Sequence, residues 1–341
     1  MSRIGGFSTY LRPRFAVKLQ HFMAFMILGH IDNFALLGYN RFDTSLLKQY
    51  YNCGVRRMGR MENIAIFEDT DKLCRTNATL KKAIDESLNK QILVLEKTEY
   101  PSHRGAHRFD TPASIVISQK RSYEAAASYC DAGLKVCVHN FASAGNPGGG
   151  VTSGAGAQEE CLCRCSTLYP NLNSTAMWDG FYGPHRKNRD PLHNDDCIYT
   201  PGVIVFKSDE YMPKLLQEKE WYTVNVLTCA APNLRDKPSN QYNPADGNEK
   251  ATVSKTELQR IHEKRLRRIC DIACENGDEA IILGAFGCGA FSNPPEIVAA
   301  AAKTVVKEYL YCFKKMEFAV YCRRDNTENY DVFKRQLAII R

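Results

Sequence analysis

The sequence predicts an α/β sandwich around a largely parallel sheet. Three observations carry that prediction. Short β-rich runs alternate with amphipathic helical stretches over most of the chain. Two of the runs, Leu134 to Val138 and Ala280 to Leu283, each lead into a glycine loop. Each loop is followed in turn by a helical pattern, and in open α/β sheets ligands sit at the carboxyl ends of strands.

The elements follow in order. Asn77 is placed to cap a helix to Asn89, with Leu80, Ile84 and Leu88 four apart. Gln91 to Glu96 and Ser114 to Ser118 read as strands, and Ser122 to Ala132 as a helix ended by Gly133. After the Leu134 to Val138 strand and its glycine loop comes a helix from Gln158 to Leu168, stopping before Pro170. Within it Cys161, Cys163 and Cys165 read as small buried residues packing helix against sheet rather than as metal ligands. Residues 171–200 read as a long polar connection of the kind that forms functional lids. His185, His193, Asp195 and Asp196 fall in it, and a metal reading for them is the alternative. Val203 to Phe206 and Tyr222 to Cys229 read as strands, residues 234–250 as a polar loop, and Lys255 to Glu275 as a long helix with Leu258, Ile261, Leu266 and Ile269 on its apolar side. Asn276–Gly277 ends that helix. A helix from Glu296 to Tyr311 opens on Pro294–Pro295, then a strand from Phe318 to Tyr321 and a helix from Asn329 to Leu337 close the chain.

Composition bounds the function. The chain has 341 residues, 44% hydrophobic and 24% charged, as in globular proteins with a sizeable core. Its net charge of +7 is local: residues 1–60 hold nine Lys/Arg against two Asp, leaving 36 basic and 36 acidic residues in 61–341. No global field remains to steer polyanions, so direct nucleic-acid binding is not expected. Residues 1–60 read as a basic extension, a transit peptide or a structural element; the apolar stretch from Phe22 to Leu37 is too short and too interrupted for a membrane span. Fourteen cysteines without a Cys-x-x-Cys pair suit free thiols in a reducing compartment, cytoplasm or nucleus, with a mitochondrial address as the transit-peptide alternative.

The first glycine loop runs from Asn140 to Gly150, with Gly148, Gly149 and Gly150 consecutive, and reaches Gln158–Glu159–Glu160 after seven further residues. Helical neighbours point about 100° apart. One glutamate can therefore face a pocket while the other anchors the local structure. A carboxylic acid at a glycosidic oxygen can protonate the leaving group, and its conjugate base can activate water. The second loop, Gly284 to Phe291, has Gly-x-x-Gly-x-Gly spacing, which fits neither a P-loop nor a dinucleotide fingerprint. Its amides, with a helix start behind them, suit a diphosphate. Phe286 and Phe291 bracket it and suit a ribose or base, or simply the core.

These motifs together resemble the microbial-type poly(ADP-ribose) glycohydrolases of the macrodomain superfamily. The resemblance rests on the triple glycine with Gln158–Glu159–Glu160, on the Asn-Phe-Ala-Ser-Ala-x-Asn-Pro-Gly-Gly-Gly run, and on His185–Arg186 to Leu192. It rests also on Ile198–Tyr199–Thr200–Pro201, Ala231–Pro232–Asn233 and the run from Gly284 to Pro295, and it covers about residues 61–341. It implies a three-layer α/β/α macrodomain-like sandwich with a mixed sheet, preceded by a small helical extension. The chain then divides into an extension (1–60), an accessory lead-in (61–132) and a catalytic core (133–341). It further implies hydrolysis of the ribose–ribose O-glycosidic bond of poly(ADP-ribose), or of ADP-ribosylated protein, to ADP-ribose. No metal, cofactor or membrane partner is implied.

By the same resemblance Glu160 is the catalytic acid/base, and Glu159 its neighbour that helps hold the ribose. Asn146, Gly148, Gly149, Gly150 and Val151 line the ribose, and Gln158 supports the site. Gly287, Cys288, Gly289 and Ala290 wrap the diphosphate between Phe286 and Phe291, of which Phe291 fixes the proximal ribose. Phe286 stands where tryptophan is expected in many relatives, and Ala290 where valine is. The Glu159 charge is expected to raise the pKa of Glu160 and keep it protonated. Two alternatives stay open: a hydrolase for another ADP-ribosyl bond, and a non-catalytic ADP-ribose reader.

Overall fold

The computed structural model describes residues 44–240, 243, 245–323 and 325–338, with the backbone alone for 44–58. The chain divides into two compact units, residues 1–56 and 57–341. The expectations for the stretch from Phe22 to Leu37 and for a transit peptide lie outside the described residues.

The elements are α1 (Thr44–Thr76), α2 (Ala78–Lys90), β1 (Ile92–Val94), β2 (Ser114–Ser118), α3 (Ser122–Asp131), β3 (Val136–Ala142), α4 (Gln158–Cys165), α5 (Leu168–Leu172), α6 (Gly183–Asn188), β4 (Cys197–Val205), β5 (Tyr222–Ala230), α7 (Lys255–Glu275), β6 (Ala280–Leu283), α8 (Pro295–Glu308), β7 (Lys315–Ala319) and α9 (Glu328–Leu337). The seven strands form one sheet in the order β1-β4-β5-β3-β6-β7-β2. The pairs β5–β3, β3–β6, β6–β7 and β7–β2 are parallel, while β4 runs antiparallel to both β1 and β5. The sheet is therefore mixed. The segment 61–132 supplies both its edge strands, β1 and β2.

Alternation along the strands builds two cores. Cys137, Ile281, Leu283 and Phe318 point to one face and pack with Ile269, Ala273, Val298, Val305 and Phe333 of α7, α8 and α9. Val136, Val138, Val226 and Ile282 point to the other, against Tyr123, Leu162, Cys163 and Leu168 of α3, α4 and α5. With both faces covered, interior strands read as continuous apolar runs rather than alternating ones. Leu162 is wholly buried; such burial contributes roughly 2 kcal/mol per leucine. A smaller cluster packs α2, through Leu80 and Ile84, against Phe206.

Several expected bounds shift. β3 continues to Ala142, so Asn140–Ala142 belong to the sheet and not to the loop, because β5 offers partners as far as Ala142↔Ala230. The helix after the first loop ends at Cys165, and Pro170 lies within α5. It occupies the third residue of that helix, where the N–H has no intrahelical partner to lose. The last strand sits earlier than expected, pinned by parallel pairing of Lys315–Ala319 with Ser114–Ser118. Residues 171–200 are not a long structureless connection. They form a helical turn at Thr175–Met177, a π-helical turn at Trp178–Tyr182, then α6 and the start of β4. Buried Leu172, Met177, Phe181 and Tyr182 anchor them to the core.

Candidate active site

Parallel pairing of β3 with β5 and with β6 delivers three loops to one edge of the sheet. The glycine loop after β3 lies between the segment after β5 and the second glycine loop after β6. The rings of Phe141 and Phe286, 5.8 Å apart, join the two glycine loops from below.

The first loop is shaped by the two glutamates at the start of α4. Gln158 locks that start to β3: its Oε1 accepts the Phe141 N–H at 2.9 Å, and its Nε2 donates to His139 O at 2.8 Å and to Ser122 Oγ at 3.0 Å. Glu159 is an anchor. Its Oε2 accepts the Ser143 N–H at 2.7 Å and its Oε1 accepts from Asn140 Nδ2 at 3.3 Å, with the Gly148 N–H a further donor. Asn140 is itself wholly buried in β3 and also donates to Thr228 Oγ1 at 3.1 Å.

Glu160 is held by one oxygen only. Its Oε1 accepts the Gly150 N–H at 2.8 Å, with the Ala157 and Glu160 backbone N–H groups also acting on the carboxyl, while Oε2 is buried and has no hydrogen-bond partner among the described residues. A carboxylate in that position has been taken out of water without full compensation. Gly149 permits the approach. It has φ +59°, and a Cβ there would lie 2.6 Å from Glu160 Oε1. Burial pushes the Glu160 carboxyl above the ordinary value, against the Gly150 N–H and the Arg164 charge, which pull it down. Burial also raises Glu159, and there the Glu160 charge adds to it. Desolvation is the larger cause at both carboxyls, and the repulsion between the two charges is mutual, disfavouring ionisation of one once the other is charged.

The second loop spends its amides differently. Gly148, Gly149 and Gly150 use their N–H groups on Glu159, Asn146 O and Glu160. Among the described residues no acceptor takes the N–H groups of Gly287, Gly289 and Ala290. Gly289 and Ala290 are exposed, Cys288 and Phe291 partly so, and α8 begins four residues beyond Phe291. Amides without an acceptor, with a helix start behind them, have the makings of an anion nest. Phe286 lies beneath this nest, with no exposed surface, against His139, Phe141 and His262. Phe291 is at the rim, 5.9 Å from the His193 ring. Val151 is also wholly buried.

Several further residues shape the site. Arg186 donates from Nε to Gly145 O at 2.6 Å and from its guanidinium to Asn146 Oδ1, bracing the first loop from α6. Arg164 donates to Ala155 O at 2.6 Å. Arg265, buried on α7, donates to Ala230 O at 2.9 Å, to Leu192 O at 2.7 Å and to Asp195 at 2.9 Å. Burial raises Asp195, but Arg265 and Lys264 outweigh it and hold the carboxyl below the ordinary value. Arg186 stands in one of the motifs that carry the family resemblance, whereas the only sequence signal for Arg164 and Arg265 was a charge inside an apolar pattern.

His185, His193, Asp195 and Asp196 are held by protein groups. His185 bonds Phe181 O and Asn194 Oδ1, both at 2.8 Å, and His193 bonds Ala231 O at 2.8 Å. Asp196 accepts the Glu96 N–H and Asn194 Nδ2. Cys161, Cys163 and Cys165 are all buried. Among the described residues no group of three or more His, Cys, Asp or Glu is placed to hold a metal ion. No described helix is long and apolar enough to cross a membrane.

Residues 62–208 match the family described as microbial-type PARG, catalytic domain. The poly(ADP-ribose) glycohydrolase structure from Thermomonospora curvata is 30% identical, with a TM-score of 0.68 over 80% of this chain and 98% of that one. This chain belongs to the poly(ADP-ribose) glycohydrolase family. It is a glycosidase, with the α/β fold of that family. The same Thermomonospora protein bound to the inhibitor ADP-HPD matches at 29% identity and TM-score 0.65, over 80% of this chain and 98% of that one. The Deinococcus radiodurans glycohydrolase in complex with ADP-ribose matches at 26% identity and TM-score 0.62, over 75% of this chain and 96% of that one. A search of curated proteins found no match.

Proposed function

We propose that the protein hydrolyses the ribose–ribose O-glycosidic bond of poly(ADP-ribose), releasing ADP-ribose and reversing ADP-ribosylation of proteins, with Glu160 as general acid and base. The observation that carries this reading is the buried, unpartnered Oε2 of Glu160 beside Gly149 and Gly150. Burial favours the protonated carboxyl, so Glu160 enters the reaction as an acid. Oε2 gives its proton to the departing ribose oxygen as the C–O bond breaks and positive charge develops on the ribose carbon. Water then adds to that carbon, and the Glu160 carboxylate takes the proton it loses.

The other roles follow from placement. Glu159, tied to Ser143 and Asn140, holds the first loop and forms the ribose-side wall with Asn146 and the triple glycine. Gln158 and Val151 support that wall from inside. The amides of Gly287, Gly289 and Ala290 receive the diphosphate, Phe291 sits against the proximal ribose, and Phe286 carries the loop from beneath. The described cysteines are free thiols, which suits an intracellular compartment.

The test is release of ADP-ribose from the polymer by the wild type and by Glu160→Gln, with ADP-ribose binding followed by calorimetry. The amide keeps shape but carries no transferable proton. Expected is loss of release, by about a hundred- to ten-thousandfold, with binding retained. Full turnover by Glu160→Gln would sink the assignment. A wild type that cleaves only mono-modified protein would redirect the reading to another ADP-ribosyl bond, and one that binds without turnover would make it a reader.

A further inference from the structure

We propose that Asn293, held in one orientation by His262, is the positioning residue that shapes the second glycine loop for its ligand. This rests on the reading of that loop as the diphosphate site, and goes beyond it by assigning the residues that set its geometry.

Asn293 is 2% exposed, and the loop folds around its side chain. Its Nδ2 donates to Pro232 O at 2.7 Å, to Gly287 O at 3.1 Å and to Phe291 O at 3.3 Å. Two N–H bonds thus serve three carbonyls, the second shared between the two ends of the nest. The Asn293 backbone N–H returns to Gly287 O at 3.0 Å. One amide therefore fixes the separation of Gly287 and Phe291 and ties both to the segment after β5. The space is tight: a Cβ on Gly287, at φ +78°, would lie 2.6 Å from Asn293 Nδ2 and 2.7 Å from Ala231 Cβ.

The carbonyls decide which way the amide points. They accept only, so Nδ2 faces them and Oδ1 must face His262 Nε2, 2.9 Å away. His262 Nε2 therefore carries the proton. The ring is wholly buried on α7, edge-on to Phe286, and its Nδ1 has no hydrogen-bond partner among the described residues. Burial lowers its pKa to about 4, so it is a neutral donor at neutral pH. The histidine reads the orientation of the amide, and the amide sets the aperture of the nest. Neither side chain is exposed, so neither touches the ligand.

The experiment compares full-length wild type with His262→Gln, His262→Leu and Asn293→Asp. ADP-ribose affinity is measured by calorimetry, kcat and KM on the polymer, and Tm for each. Glutamine retains an N–H donor, leucine does not, and aspartate turns acceptors toward three carbonyls. Expected is a loss of ADP-ribose affinity of roughly tenfold or more in His262→Leu and Asn293→Asp. KM should rise in parallel with kcat nearly unchanged, and His262→Gln should restore most of the affinity. Unchanged affinity in variants with lowered Tm would overturn the proposal, as would His262→Gln behaving like His262→Leu. If the wild type binds ADP-ribose but leaves the polymer intact, the hydrolysis reading fails while the positioning role is still judged on binding. A wild type that does not bind ADP-ribose overturns both.

Discussion

Glu160 and Gly150 meet through one oxygen: Oε1 takes the Gly150 N–H at 2.8 Å, and Oε2 is buried with no donor among the described residues. That asymmetry separates Glu160 from Glu159, whose two oxygens are both bonded. It also sets the pH behaviour expected of the site.

Burial raises Glu160, so its acid form persists above the ordinary glutamate range and activity falls as pH rises through the raised value. Arg164 opposes this shift. Arg164→Met should therefore move the basic limb of the pH–rate profile on the polymer to higher pH. A limb that stays in place would remove Arg164 from the electrostatics of the acid. The linkage sign is the same for stability: the folded state binds the proton more tightly than the unfolded one, so stability is lost as pH rises from the ordinary glutamate value through the raised one. Glu160→Gln should accordingly gain Tm relative to wild type at pH 8 compared with pH 5.

Gly149→Ala should be severely impaired. The new Cβ would fall 2.6 Å from Glu160 Oε1, in a backbone conformation with φ +59° that alanine rarely adopts. The carboxyl must shift, and if Glu160 is the proposed acid a displacement of this size costs on the order of a hundredfold in kcat/KM. Polymer turnover within threefold of wild type would contradict the placement.

Gly289→Ala probes the other loop with little structural cost. Nothing lies within 4 Å of a Cβ there, so stability should change by no more than about 0.5 kcal/mol. A methyl group on the outer surface of the nest should nevertheless lower ADP-ribose affinity. Unaltered binding by calorimetry would argue that the diphosphate lies elsewhere.

Far from the loops, Asp278 is wholly buried and accepts from Asn225 Nδ2 at 2.6 Å and from Tyr199 Oη at 3.0 Å. Burial raises its pKa from 3.8 to about 7, more than those hydrogen bonds lower it. Its folded value exceeds its unfolded one, so its stabilising contribution is complete below pH 3.8 and is lost as pH rises to about 7. The loss is roughly 4 kcal/mol at most. Asp278→Asn should flatten the dependence of the urea midpoint on pH between 5 and 8. A slope equal to that of the wild type would place the titration elsewhere.

Local chemistry determined much of this molecule. Asn77 caps α2 by accepting the Leu80 N–H, and α7 spans Lys255–Glu275 between its Ser254 cap and Asn276–Gly277, all set by residues a few positions apart. The same holds for β6 and for the order in which strands and glycine loops alternate. Motif spacing was enough to place the glutamate pair at a helix start and to suggest the family. Tertiary structure decided the rest, because those choices depend on partners remote in sequence. β3 reaches Ala142 only because β5 pairs with it, and residues 171–200 become helical turns because Phe181 and Tyr182 find a core to enter. Asn140 and Ser143 take both oxygens of Glu159, whereas Glu160 is met by backbone N–H groups alone, that of Gly150 at 2.8 Å. The meeting of His262 with Asn293 had no local signal, since it arises from the packing of α7 beneath a loop that begins on a different strand.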